Sequence, residues 1–341
     1  FQYTPPEGYV AMQQDNLPTP DKGVPDMVWA KSRDNTESHV IYDSSRGLPQ
    51  MISPNNSTAE GTQTDGIQKL LKGGFQTEDH ERSNQKDISY VNWNWVANGG
   101  TTSANTDGSG ATLASTIQAN QTAGFSIVTY TGSGSNALVA HGLSSAPEWV
   151  LIKERSNSNS WVNSHVGLTS QATYSVALNN TNAEYSDAGT VYWNNAAPTN
   201  KVVSIDTDTA VNGSSRTYVM YCWHSVEGYS KFGSYTGNGN ANGTFVYTGF
   251  KPKWVMFKST SATNSWVILD GGRDLFNPVK DILFANLNSA EISYDRADFL
   301  SNGFKLKDTA SGVNNSGVTF IFMAFAEHPF IGDGTNPCTA R

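Results

Sequence analysis

At 341 residues, with 15% charged side chains and 11% aromatics, the chain can fill several cores, and its composition is neither that of a coiled coil nor that of a disordered protein. A net charge of -8 without a basic patch excludes a partner held by its phosphates, so no nucleic acid is expected. Only two cysteines, Cys222 and Cys338, exclude a disulfide framework repeated along the chain.

Residues 1–24, with Pro5-Pro6 and Leu17-Pro18-Thr19-Pro20, read as an N-terminal segment or linker. The chain starts at Phe1 rather than methionine, which predicts a processed or partial polypeptide, and no basic segment followed by an apolar one marks a signal peptide. From Pro25 a pattern begins that occurs three times. Pro25-Asp26-Met27-Val28-Trp29-Ala30-Lys31 returns as Pro147-Glu148-Trp149-Val150-Leu151-Ile152-Lys153 and as Pro252-Lys253-Trp254-Val255-Met256-Phe257-Lys258. Seven residues after each lysine stands a serine, followed by His39-Val40, Trp161-Val162 or Trp266-Val267. Each copy closes on an aromatic run, Tyr90 to Trp95, Tyr218 to Trp223 and Phe320 to Phe325. Fixed spacing of several landmarks is the mark of a tandem array, here with a unit of about 105 residues.

The landmarks are short, aromatic and β-branched, bounded by Gly, Pro, Asn or Ser, and therefore predict strands. In copy two, strands are expected near Phe125 to Tyr130, Trp149 to Lys153, Trp161 to Ser164, Tyr174 to Leu178, Val191 to Trp193, Val202 to Ile205 and Tyr218 to His224. About seven short strands in a hundred residues is the count of a β-sandwich. The fold class expected is all-β, a tandem array of three β-sandwich-like repeats. Helix is nearly absent, with Asp65 to Lys72 the one stretch read as a few turns. The boundaries follow: repeat one over 25–97, a Gly-, Ser- and Thr-rich linker over 98–123, repeat two over 124–226, repeat three over 227–330 and a tail over 331–341. Copies two and three open with Tyr130-Thr131-Gly132 and Tyr235-Thr236-Gly237, seventeen residues before their prolines, whereas copy one has Gly8 at that distance. Repeat one is thus read as incomplete, its open edge covered by residues 1–24, a preceding domain or a neighbouring chain.

No constellation carries catalytic chemistry. His39, His80, His141, His165, His224 and His328 show no metal-ligand spacing, so no metal and no cofactor are expected. No G-x-S-x-G elbow occurs, and Asp206-Thr207-Asp208 lacks the glycine and glutamate of a calcium loop, so it reads as a turn. The glycines at 132–134 and 237–239 follow a strand without opening a helix and read as hairpin turns rather than phosphate cradles. Tryptophans repeated at equal places belong to the core that each copy must rebuild, so glycan contact is assigned to aromatics peculiar to one copy, Trp193 and Tyr185. The longest apolar run, Val318 to Ala326, is too short to cross a bilayer, and no membrane insertion is expected.

The wording of copies two and three resembles an uncharacterised β-domain family recurring in structural proteins of tailed, especially marine, bacteriophages. The resemblance lies in Gly124 to Gly132, Trp193 to Thr199, Val226 to Gly239, Phe299 to Leu306 and Met323 to Phe330. Phe1 to Pro20 resembles the end of the lectin-like SPRY domain that often precedes this family. Copy one departs from the family wording at Lys72 to Phe75 and in the charged stretch Glu78 to Lys86. The resemblance implies a place on the virion exterior as fibre, spike or capsid decoration, among other virion proteins, with host attachment as a role and no activity. It leads us to expect a non-enzymatic structural protein working as a homo-oligomer, three-fold rather than two-fold because the implied class is fibrous. The competing classes are a carbohydrate-binding module for a host surface glycan, which should expose aromatics clustered on one copy, and a polysaccharide-degrading tailspike, which should line a groove with carboxylates.

Overall fold

The computed structural model describes residues 2–3, 10–13, 24–97, 102–103, 109–186 and 191–327. Cys338, His328 and the tail over 331–341 lie outside these. Among the described residues the chain is all-β, built of several antiparallel sheets, one of them nearly closed into a barrel. The two α-helices among them, Thr209–Asn212 and Ser311–Asn314, are single turns.

The three sequence copies share one pairing pattern. In each, a closing strand (Tyr90–Trp95, Thr217–Trp223, Thr319–Ala326) lies antiparallel to a front strand (Met27–Ser32, Trp149–Glu154, Pro252–Ser259), which pairs in turn with a second strand (Val40–Asp43, Val162–His165, Val267–Asp270). Met27 meets Trp95, Trp149 meets Trp223 and Trp254 meets Phe325, so the register is preserved as well as the order.

The front strands are buried along their length except at Lys253, and the reason sets the architecture. Successive side chains of a strand point to opposite faces. One face of each front and closing strand joins a single cluster common to all three copies, with Met27, Trp29, Trp93 and Trp95 from the first, Trp149, Leu151, Tyr221 and Trp223 from the second, and Trp254, Met256, Met323 and Phe325 from the third. The other face looks into a core belonging to that copy alone, where Val28, Val150 and Val255 stand, each fully buried. A strand covered on both sides needs a continuous apolar run, which is what the three landmarks are. Trp95 stands at the junction, its ring 6.1 Å from Trp223, 6.2 Å from Trp254 and 5.7 Å from Phe325.

Of the three coverings expected for the edge of copy one, the structure shows the N-terminal segment. Gln2–Tyr3 pairs with the closing strand of that copy, Tyr3 opposite Tyr90, as Tyr130 lies opposite Tyr218 and Tyr235 opposite Phe320. Val10–Gln13 then pairs with Gly74–Thr77, as Ala137–Ala140 pairs with Val202–Ile205 and Phe245–Tyr247 with Gly303–Leu306. Within the expected N-terminal segment, Gln2–Tyr3 and Val10–Gln13 are therefore strands paired with copy one. Likewise Ser115–Asn120, within the expected linker, forms a hairpin with the leading strand Phe125–Thr131 of copy two.

Residues 67–71 are a strand and not helical turns: Lys72-Gly73, with Gly73 at φ 77°, makes the two-residue turn that returns the chain as Gly74–Thr77. Val191 to Trp193 is not a strand, because Asn194 and Asn195 adopt left-handed conformations straight after it. The glycine runs are not hairpin turns either. Gly132 and Gly237 donate to the carbonyls of Arg216 and Val318, and a Cβ on either would collide with the carbonyl oxygen of Gly213 or Asn315. Each run is clamped by a buried asparagine at the end of a helical turn. Asn212 accepts from the Ser133 amide at 2.8 Å and Asn314 from the Asn238 amide at 3.0 Å.

Candidate functional site

A repeated set of buried polar groups joins one copy to the next. The indole of Trp161 donates to the Ser53 carbonyl of copy one at 2.9 Å, and that of Trp266 to the Ala177 carbonyl of copy two at 2.9 Å. His39 fills the same position in copy one and reaches the Phe284 carbonyl of copy three at 3.0 Å. The third contact closes the circuit, so the copies do not stand in a row. A second set runs the other way: the amides of Glu60, Glu184 and Glu291 donate to the carbonyls of Arg155, Thr260 and Arg33. An asparagine in each copy, Asn55, Asn179 or Asn286, accepts the backbone N–H of His39, Trp161 or Trp266.

Two of the three joints add an ion network. Asp43 binds Arg46 at 2.5 Å, Arg46 binds Glu60 at 3.0 Å, and Glu60 crosses to Arg155 of copy two at 2.8 Å. Asp270, Arg273 and Glu291 repeat this, with Glu291 crossing to Arg33 of copy one at 2.5 Å. Tyr221 donates to Asp43 at 2.5 Å and Trp93 to Asp270 at 3.2 Å, each from another copy. Burial alone would raise the Asp270 carboxyl; the Arg273 guanidinium beside it outweighs that and holds it below the usual carboxylate range. At the joint of copies two and three, His165 replaces the aspartate and Leu168 stands at the arginine position.

His39 and His165 are each fixed in one neutral form. Trp29 can only donate and a carbonyl can only accept, so His39 must accept at Nδ1 from Trp29 at 2.9 Å and donate from Nε2. His165 does the same between the Gly167 amide and the Phe322 carbonyl of copy three. Burial drives both well below the ordinary histidine range, His165 to about 3. The repeated lysines Lys31, Lys153 and Lys258 are lowered by burial to about 8, and their ammonium groups cap backbone carbonyls, those of Lys153 and Lys258 reaching Ser57 and Thr181 of the preceding copy. Asp208 caps the turn Thr209–Asn212 through the Ala210 amide. Among the described residues no group of three or more His, Cys, Asp or Glu could hold a metal ion, and no helix is long and apolar enough to cross a membrane.

The two aromatics singled out for glycan contact lie near one another, Trp193 bonding to Ser175, which pairs with Tyr185, but they do not form an exposed platform. Trp193 is 1% exposed, packs in the copy-two core and donates to Ser175 at 2.7 Å, so it offers no face to a sugar and that assignment is corrected. Tyr185 is half-buried, its ring edge-on to Tyr192 at 6.1 Å. The large apolar side chains that do reach solvent gather on copy three instead: Phe276 is 84% exposed, Leu275 74%, Tyr247 65% and Tyr294 62%, with Phe245 and Ile292 less so. The sequence carries a signal for this in the turn after the second strand. Copy one reads Asp43-Ser44-Ser45-Arg46-Gly47-Leu48-Pro49, and copy three reads Asp270-Gly271-Gly272-Arg273-Asp274-Leu275-Phe276-Asn277-Pro278, longer by the residues that project.

No curated protein and no solved structure matches the chain. The profile of one family, described as a domain of unknown function (DUF7483), matches residues 19–329 and so runs through all three copies as one unit. The chain belongs to this family, DUF7483.

Proposed function

We propose that this chain is a non-enzymatic structural protein of a tailed-phage particle, carried on the virion exterior as fibre, spike or decoration, and built of three β-sandwich-like copies closed on one another. The resemblance of the repeat wording to phage structural proteins gives the reading its class. The observation that carries it is the use made of the polar core: histidines held neutral between fixed partners, lysines capping carbonyls and two buried Asp-Arg-Glu-Arg chains all bind copy to copy. Groups so committed give stiffness and resistance to proteases, the properties an exterior part of a particle needs. Host attachment and assembly with other virion proteins belong to the same reading.

The oligomer expected with it loses part of one support, because Gln2–Tyr3 covers the Tyr90–Val91 end of the copy-one edge. A glycan-binding module would have to work through the exposed aromatics of copy three, since Trp193 is buried. The test is to raise antibodies against the purified protein and apply them, with peptide mass spectrometry, to purified particles of the phage encoding it. Labelling of intact particles is expected. Absence of the chain from the particles, or release of sugar from host polysaccharide by the pure protein, would overturn the proposal.

A further inference from the structure

The projecting turn of copy three is anchored by side-chain hydrogen bonds at both of its ends. Asp274 accepts the backbone N–H groups of Lys280 and Asp281, and the side chain of Asn277 both donates to the Phe299 carbonyl at 3.0 Å and accepts its amide at 2.8 Å. Between these anchors Leu275 and Phe276 stand in water. The anchoring ties the turn to the end of the sheet, where Leu300 pairs with Gly303 and Gly303 with Tyr247. At about 4.8 Å per strand this sets the turn roughly 14 Å from Tyr247. Phe245 and Tyr247 flank the buried Val246 and so face outward, the Phe245 ring lying over Gly303 and the Tyr247 ring over Gly249, which have no side chains to lift them. The result is a rigid apolar knob beside a shallow apolar platform.

We infer that this face joins two copies of the chain about a two-fold axis, the Leu275–Phe276 knob of each seated on the Phe245–Tyr247 platform of the other. The inference rests on the structural role proposed above and names its contact surface. Three observations favour a second copy as the occupant. A knob and a platform on one surface are self-complementary, which is what a two-fold contact requires. With aromatics offering about 150–250 Å² each, the four side chains leave several hundred Å² of apolar surface in water, on the scale of the roughly 800 Å² per partner that a stable interface buries. With a net charge of -8, two chains meet with least repulsion through a face poor in free acidic groups, and near this one Asp298 is paired with Lys307 and Asp308 with Arg296, while Lys305 stands opposite Phe245 in the ladder. The anchored turn also meets in advance the ordering cost that a mobile loop would pay on binding.

Sedimentation equilibrium of the full chain should give twice 36.9 kDa, and Phe276→Asp, an exposed change that leaves the fold intact, should weaken the pair by about thirtyfold or more. Mixing singly substituted Phe276→Cys and Tyr247→Cys chains under oxidation should give the mixed disulfide-linked pair. A wild-type chain that stays monomeric while binding a neutral glycan through Phe276 and Tyr247, a trimer, or a dimer indifferent to Phe276→Asp would each overturn the inference. Detection of the chain in particles, or its absence, decides the structural role separately.

Discussion

His39 stands where the other copies carry tryptophan, and it keeps the same hydrogen bond to a carbonyl of the preceding copy. Sequence alone shows only that imidazole replaces indole at that position; what it hides is that an imidazole so placed cannot be protonated without losing its bond from Trp29. This gives stability a pH dependence of known sign. The unfolded chain takes up protons near pH 6.5, while the folded chain refuses them at His39 and, down to about pH 3, at His165. The unfolded state thus holds more protons in that window, and stability falls as pH drops from about 6.5 toward 3. Asp270 adds to the loss at the acid end, since its lowered carboxyl stabilises above the ordinary carboxylate range and fails as pH falls through its folded value. Thermal melts should show Tm declining steadily below pH 6.5, with a shallower slope in His165→Gln; a flat profile from pH 7 to 4 would contradict the assignment. Trp266, fully buried and bonded to Ala177, should cost about 3–5 kcal/mol on change to alanine in denaturant titrations. Gly132→Ala and Gly237→Ala should each cost about 1–3 kcal/mol, because the new Cβ meets backbone that cannot move aside, and chemical denaturation measures this too.

The front and closing strands were legible because their burial on both faces writes itself as an unbroken apolar run. Tyr3 was not. The Tyr-Thr pair at Tyr3-Thr4 repeats Tyr130-Thr131 and Tyr235-Thr236, but it lies farther from its proline than the fixed spacing of the other copies, and that spacing guided the reading. Ser115–Asn120 escaped for another reason: a strand rich in Ser, Thr, Gln and Asn has the composition of a linker, and only pairing with Phe125–Thr131 makes it a strand. The joints were invisible for a third reason, since Glu60 meets Arg155 and Glu291 meets Arg33 across distances that sequence does not measure. Among the described residues the joints of copies one and two and of three and one carry an Asp-Arg-Glu-Arg ion network, and the joint of two and three does not. Glu291→Ala should therefore cost about 1.5–3 kcal/mol, by taking from Arg273 and Arg33 the carboxylate they share while Asp270 and Asp281 remain to them. Glu184→Ala, whose carboxylate meets Thr169 at an exposed site, should cost far less. Equal losses in parallel urea titrations would show that the ion networks do not hold the ring.

At the scale of the whole molecule the three copies enclose one cluster to which each contributes tryptophan, and every copy bonds to the other two. An array whose repeats touch only their sequence neighbours can unfold from an end. A closed one cannot, because removing any copy strips one face from the front strands of the others. The central claim is thus that the chain is one cooperative body. Hydrogen exchange read by mass spectrometry along a denaturant series tests it most directly, by following the amides of Tyr90–Trp95, Thr217–Trp223 and Thr319–Ala326 together. All three closing strands are predicted to lose protection at one common midpoint. Three separate midpoints, one for each copy, would contradict it.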